Sequence, residues 1–154
     1  MSFLAFALPI FYLIHCFEEF VFPGGFISWY HSYRPTLNQQ SNAYYWRVNI
    51  IAFLIVLVNS CYYFISHGNN NSGLLIASSF LAWNALVTHV IGSIKSKQYS
   101  PGLVTGIFCY IMSFLTITYL IIENHLLSIH LTIIYALLGM LYEFWNLSKN
   151  KFHS

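Results

Sequence analysis

The 154-residue sequence is a succession of long apolar runs separated by short polar turns, and that rhythm leaves few folds open. Crossing the hydrocarbon core of a bilayer takes roughly 20 consecutive apolar residues in a helix. Five runs approach or exceed that length, at about Phe3–Phe22, Tyr44–Ile65, Leu74–Ile94, Leu103–Ile122 and Leu126–Leu147. Hydrocarbon offers the backbone no hydrogen-bond partners, so each run must satisfy its own peptide groups, as a helix does. The expected fold is therefore all-α: one domain over residues 1–154, an integral membrane bundle of five transmembrane helices. Pro23-Gly24-Gly25 closes the first run, and Pro101 suits the first turn of the fourth helix.

Composition agrees with this reading and excludes others. Only 6% of residues are charged, against roughly 25% in a soluble domain, which leaves no room for a separate water-exposed domain. Six Lys and Arg scattered along the chain make no basic patch, so nucleic acid is not an expected partner. Cys16, Cys61 and Cys109 lie in apolar runs without metal-type spacing and read as buried hydrophobes. Trp29, Tyr30 and Tyr33 in the connector from Gly24 to about Asn42 suggest a segment at the headgroup level.

The cations also set an orientation. Arg34, Lys95, Lys97, Lys149 and Lys151 fall in the connectors after the first and third runs and in the tail, with Arg47 at the edge of the second. The connectors after the second and fourth runs hold none. Cytoplasmic loops are enriched in Lys and Arg, so the N-terminus is expected outside and the C-terminus in the cytoplasm, in a multi-pass protein of the cell membrane.

Against this background, His15-Cys16-Phe17-Glu18-Glu19 puts three ionisable side chains inside the first apolar run. A charged side chain at mid-helix in a bilayer costs about 2.5–3.5 kcal/mol on insertion scales, so two adjacent glutamates need compensation. Residues three and four apart share a helix face, and His15, Glu18 and Glu19 fit within an arc of roughly 100°. The expected topology brings Asn84, Thr88 and His89 of the third run, Arg47 and Asn49 of the second, Thr105 of the fourth and Glu143 of the fifth toward the same inner-leaflet level. Buried groups of this kind should face inward and pair, with Glu18 or Glu19 and Arg47 as one expected ion pair. On an ideal helix Asn84 and His89 stand roughly 140° apart, so they would border a cavity from two sides.

The motif His15-Cys16-Phe17-Glu18-Glu19, the following Phe22-Pro23, the Asn84-to-His89 spacing and Tyr99-Ser100-Pro101-Gly102 with Thr105 together resemble the HXXEE-domain family of small bacterial and archaeal membrane proteins. The likeness runs from the first through the fourth apolar run. That family is defined by its motif rather than by a reaction. The resemblance implies functional positions at His15, Glu18, Glu19, Asn84, His89, Tyr99, Pro101, Gly102 and Thr105, while Arg47 and Glu143 rest on depth alone.

Imidazole and carboxylate suit Zn²⁺, Fe²⁺ or Mn²⁺, and a cation would neutralise the glutamates. His15, Glu19 and His89 are the expected metal ligands, with Glu18, Glu19, Asn84 and Thr105 as catalytic groups and Arg47, Tyr99 and Glu143 as further polar lining. The expected function is an intramembrane enzyme, a hydrolase or isomerase, working by hydrolysis or proton transfer on a lipid-like or isoprenoid-like substrate. The alternatives are a small proton-coupled transporter, a non-catalytic membrane subunit, and for the cluster itself a structural ion network; a homo-oligomer is compatible with each. His31, His67, His125, His130 and His153 fall in turns, span ends or the tail and read as solvated or interfacial.

Overall fold

The computed structural model describes residues 1–37 and 40–149, apart from the side chains of Tyr142 and residues 144–149. Lys151 and His153 lie outside the described residues. The described residues are helical, with no strand among them. Six helices follow one another: α1 (Ser2–Phe20), α2 (Phe26–Tyr33), α3 (Asn42–Ile65), α4 (Asn71–Ser96), α5 (Leu103–Glu123) and α6 (Ile129–Lys149). Four of them, α1, α3, α4 and α5, are long and apolar enough to cross a membrane. In α6 the apolar stretch Ile129–Leu141 is shorter.

Helix α4 is the centre of the bundle. Its apolar window is 56% buried, against 22% for α3, whose Ile50, Ile51, Leu54, Ile55 and Val58 face outward. Ala5, Leu8 and Tyr12 of α1, Val56 of α3, Leu74, Leu75 and Leu81 of α4, and Tyr110, Ile117 and Ile121 of α5 form one apolar core. Small residues permit close approach on α4: a Cβ on Gly106 would stand 3.1 Å from that of Ala85, and one on Gly139 would collide with the backbone at Phe80. Along the same seam Ser79 Oγ and Trp83 Nε1 both donate to the carbonyl of Ala136 in α6, at 2.5 and 3.2 Å. Such bonds hold helices together where lipid cannot compete for the donors.

Several local features differ from the sequence reading. Within the Gly24–Asn42 connector, two glycines with positive φ, Gly24 at 72° and Gly25 at 85°, turn the chain back into α2, a helix the apolar runs did not announce. Phe26, Trp29 and Tyr30 then share one face at spacings of three and one, and bury it with Tyr45 against the bundle. Gly92 of α4 makes room for the Trp29 ring, which a Cβ there would meet at 2.8 Å. Pro101 stands one residue before the cap of α5, because Gly102 at φ 96° is the cap itself. Cys61 is exposed rather than buried, since it lies on the outward face of α3; none of the three cysteines is paired.

Two stretches depart from the α-helical repeat. Ala85–Val90 in α4 and Gly106–Ile111 in α5 are π-helical, with wider turns that shift which side chains share a face.

Candidate functional site

Glu18 leaves α1 toward the first turn of α5. Its Oε1 accepts from the Val104 backbone N–H at 3.1 Å and from the Tyr99 hydroxyl, and its Oε2 accepts from the Thr105 N–H at 2.7 Å and the Thr105 hydroxyl at 2.5 Å. A helix N-terminus carries unsatisfied N–H groups and partial positive charge, so a carboxylate from a neighbouring helix caps it as an Asp or Ser at the cap position would. Gly102, the residue at that cap, has no side chain to do so. All four lone-pair positions of Glu18 are thereby occupied. Tyr99 lies in the connector before α5, where partial burial and the adjacent Glu18 carboxylate push its phenol up to about 12, so it remains a donor throughout the physiological range.

Glu19 is turned the other way, into the interior, and is 4% exposed. Its Oε1 lies 3.5 Å from His15 Nε2 and 3.2 Å from His89 Nε2. The opposite nitrogen of each ring is held by a hydroxyl: His15 Nδ1 is 2.8 Å from Thr105 Oγ1, and His89 Nδ1 is 2.9 Å from Ser100 Oγ. Thr105 spends its hydroxyl hydrogen on Glu18, and Ser100 directs its own to the Pro101 carbonyl at 3.4 Å. Each hydroxyl oxygen therefore accepts from Nδ1–H, and this pattern of partners assigns the Nδ1–H tautomer to both neutral rings. Neither Nε2 has another hydrogen-bond partner, and the two ring nitrogens and a carboxylate oxygen lie within 4.8 Å of one another, all three residues buried.

The rings are clamped from several sides. A Cβ on Gly102 would stand 2.6 Å from His89 Cε1 and 2.9 Å from His15 Cε1, so only glycine lets the start of α5 rest against both. Trp29 of α2 stacks on His89 with planes 13° apart, and Tyr110 packs on His15 with centroids 4.4 Å apart. The π segments contribute here: Thr105 and Tyr110, both touching His15, flank most of the one in α5, and His89 lies inside the one in α4.

A cavity of about 90 Å³ opens onto this cluster. His15, Glu19, Tyr12, Tyr110, Asn49, Asn84 and Thr88 line its inner part, and Tyr30, Tyr45, Leu37, Gln40 and Tyr44 its side toward α2 and the start of α3. Tyr12 donates to Asn49 Oδ1 at 2.8 Å, while the Tyr110 hydroxyl is buried without a partner. Asn84 donates to Glu143 Oε1 at 3.1 Å and borders the cavity that Glu19 lines from the other side.

Of the residues expected at the site, His15, Glu18, Glu19, His89, Thr105 and Tyr99 are linked by direct contacts, and Asn84 with Glu143 forms an adjoining pair. Arg47 is not there. The buried face of α3 runs through Tyr45, Ala52 and Val56, and Arg47, two residues past Tyr45, falls about 200° from it, exposed and bonded only to the Ala43 carbonyl at 3.3 Å. The expected ion pair with Glu18 or Glu19 is absent for that reason. The buried cation is Arg34 instead, 8% exposed beneath Tyr30 and Tyr33. Ser100 and Tyr110 also belong to the site. Ser100 stands within the Tyr99–Gly102 motif, but nothing in the spacing of Tyr110 separates it from the other aromatics.

The model of a family described as proteins of unknown function with an HXXEE motif matches residues 6–117, which include every group that touches the two histidines. No curated protein and no solved structure matches the chain. The Glu18 and Glu19 of the motif thus perform separate tasks, one capping α5 and one facing both imidazoles, in a chain that belongs to the HXXEE family.

Proposed function

We propose that the chain is a metal-dependent intramembrane enzyme, with His15, Glu19 and His89 as the ligands of a divalent ion such as zinc, iron or manganese, acting on a lipid-like or isoprenoid-like substrate by hydrolysis or proton transfer. The observation that carries this reading is the meeting of three electron-pair donors with no hydrogen between them in their neutral-ring form. Two ligands held tetrahedrally at about 2.0–2.1 Å from a zinc ion stand roughly 3.3 Å apart, close to the 3.2 and 3.5 Å from Glu19 Oε1 to the two rings. Nδ1–H groups anchored on oxygen acceptors are what fixes ring orientation around such ions. When bound, the ion supplies Lewis acidity.

The chain's own groups divide the remaining work. Thr105 and Ser100 hold the rings, and Glu18 holds Thr105, so these are positioning residues. Asn84, Thr88 and the free hydroxyl of Tyr110 border the space beside the ligands and are available to a bound substrate. The cavity of about 90 Å³ would take the reacting end of a larger amphiphile.

The accompanying topology is five spans in the cell membrane with the N-terminus outside. Its support is the distribution of cations, together with α6, 21 residues and roughly 31 Å long, whose apolar stretch is the shorter Ile129–Leu141. Metal analysis of the purified protein tests the proposal. One equivalent is expected in the parent and none in His15→Ala or His89→Ala, with helix content preserved. A folded parent that takes up no divalent ion would reduce the cluster to a structural imidazole–carboxylate network.

A further inference from the structure

Arg34 is buried, and no carboxylate among the described residues pairs with it. The sequence holds four acidic residues, and each is engaged or placed elsewhere. Glu18 caps α5, Glu19 faces the two histidines, Glu143 accepts from Asn84, and Glu123 is exposed at the far end of α5 from Thr105. Among the described residues the ion pairs involve only His15, His89 and Glu19. Arg34 has instead a hydrogen bond from Nη1 to the Tyr30 hydroxyl at 3.0 Å, and its guanidinium lies 5.2 and 5.4 Å from the ring centres of Tyr30 and Tyr33. A neutral oxygen and two aromatic faces offset only part of the cost of removing a full charge from water.

The position is as informative as the charge. Arg34 ends α2, and its partner Tyr30 is part of the wall of the cavity that leads to Glu19 and His15. Tyr45, on the same wall, packs edge-on against Tyr30. A guanidinium presents paired N–H donors that match a phosphate or carboxylate fork. Arg34 does not itself line the cavity; it reaches the cavity wall through the Tyr30 hydroxyl, so an anion seated by Arg34 would lie beside that wall.

We infer that Arg34, held by Tyr30, is an anion subsite beside the Tyr30 wall of this cavity and takes the phosphate of a phosphate-bearing amphiphile. The inference deepens the proposed enzyme reading and rests on it only in assigning the bound molecule as substrate. Phosphate recognition by Arg34 itself does not require the metal.

The test uses the full chain in a neutral detergent with three probes: a short-chain phosphatidic acid, the matching diacylglycerol without phosphate, and inorganic phosphate. Binding is read by calorimetry and by the shift in melting temperature. Phosphatidic acid is expected to bind at least tenfold more tightly than the diacylglycerol. Arg34→Gln is expected to abolish that preference and Arg34→Lys to weaken it, whereas Arg47→Gln, on the outward face, leaves it intact. Should Arg34→Gln fail to fold, Tyr30→Phe replaces it, since loss of the hydroxyl frees the guanidinium and is expected to weaken phosphatidic acid severalfold. Inorganic phosphate binding as tightly as the lipid, and through Arg34, would support the same subsite with a soluble phosphate ester as its source. Equal binding of phosphatidic acid by the parent and both folded Arg34 variants, or equal affinity for the diacylglycerol, would overturn the inference. Repeating the titration on metal-free His89→Ala separates the two readings: phosphate binding that persists there stands even if the metal assignment falls.

Discussion

Gly102 shows how much a single residue without a side chain can decide. It has a backbone angle that L-residues adopt at a cost of about 1–2 kcal/mol, and its missing Cβ leaves the gap that both imidazoles fill. Forcing a methyl group into that packing adds about 1–3 kcal/mol. Gly102→Ala is therefore expected to lose about 2–5 kcal/mol of stability by thermal or denaturant unfolding, and to lose bound metal ahead of helix content as the rings are pushed from Glu19. A variant that melts like the parent would show that the start of α5 does not bear on the rings. At this scale much of the site was legible in the chain itself: acids and imidazole in an apolar run must be compensated, and the helical repeat puts His15 and Glu19 on one face. The division of labour between adjacent glutamates was not. It depends on a difference in direction of about 100° between consecutive residues, whose consequence is set by which neighbour stands on each side.

Among the elements, α5 owes its position to a carboxylate that belongs to another helix. Glu18 accepts two of the orphan N–H groups at its start, together with two hydroxyls, and hydrogen bonds to a charged acceptor contribute about 1.5–3 kcal/mol each. Glu18→Gln keeps the size but turns an amide N–H₂ toward donors. The expected result is a loss of about 2–4 kcal/mol in unfolding free energy, with loosened binding of metal through Thr105 and His15. If the variant were as stable as the parent, Glu18 would not be acting as the cap. The helix boundaries were readable from glycine, proline and apolar run length, but the two π segments were not. The wider turn of a π segment changes which side chains share a face, and it revises the 140° separation between Asn84 and His89 that a regular helix would impose.

For the molecule as a whole, the cation distribution makes a directional claim. Single cysteines placed at Asn69 and Gln98 in a background lacking Cys16, Cys61 and Cys109 are expected to react from opposite sides of intact cells, Asn69 with an impermeant thiol reagent and Gln98 only after permeabilisation. Labelling of both from outside would refute the five-span orientation. Length and hydropathy determined that this chain is a bundle of apolar helices, because a peptide group in hydrocarbon has no partner other than its own helix. The same one-dimensional pattern determined that His15, Glu18 and Glu19, inside an apolar run, must turn inward. Only the tertiary structure decided that Arg47 faces out and Arg34 in, that Glu18 serves a helix end, and that the Nε2 atoms of two rings meet at Glu19. A repeat of 3.6 residues says which side chains share a face, whereas the partner across that face is chosen by how the helices pack.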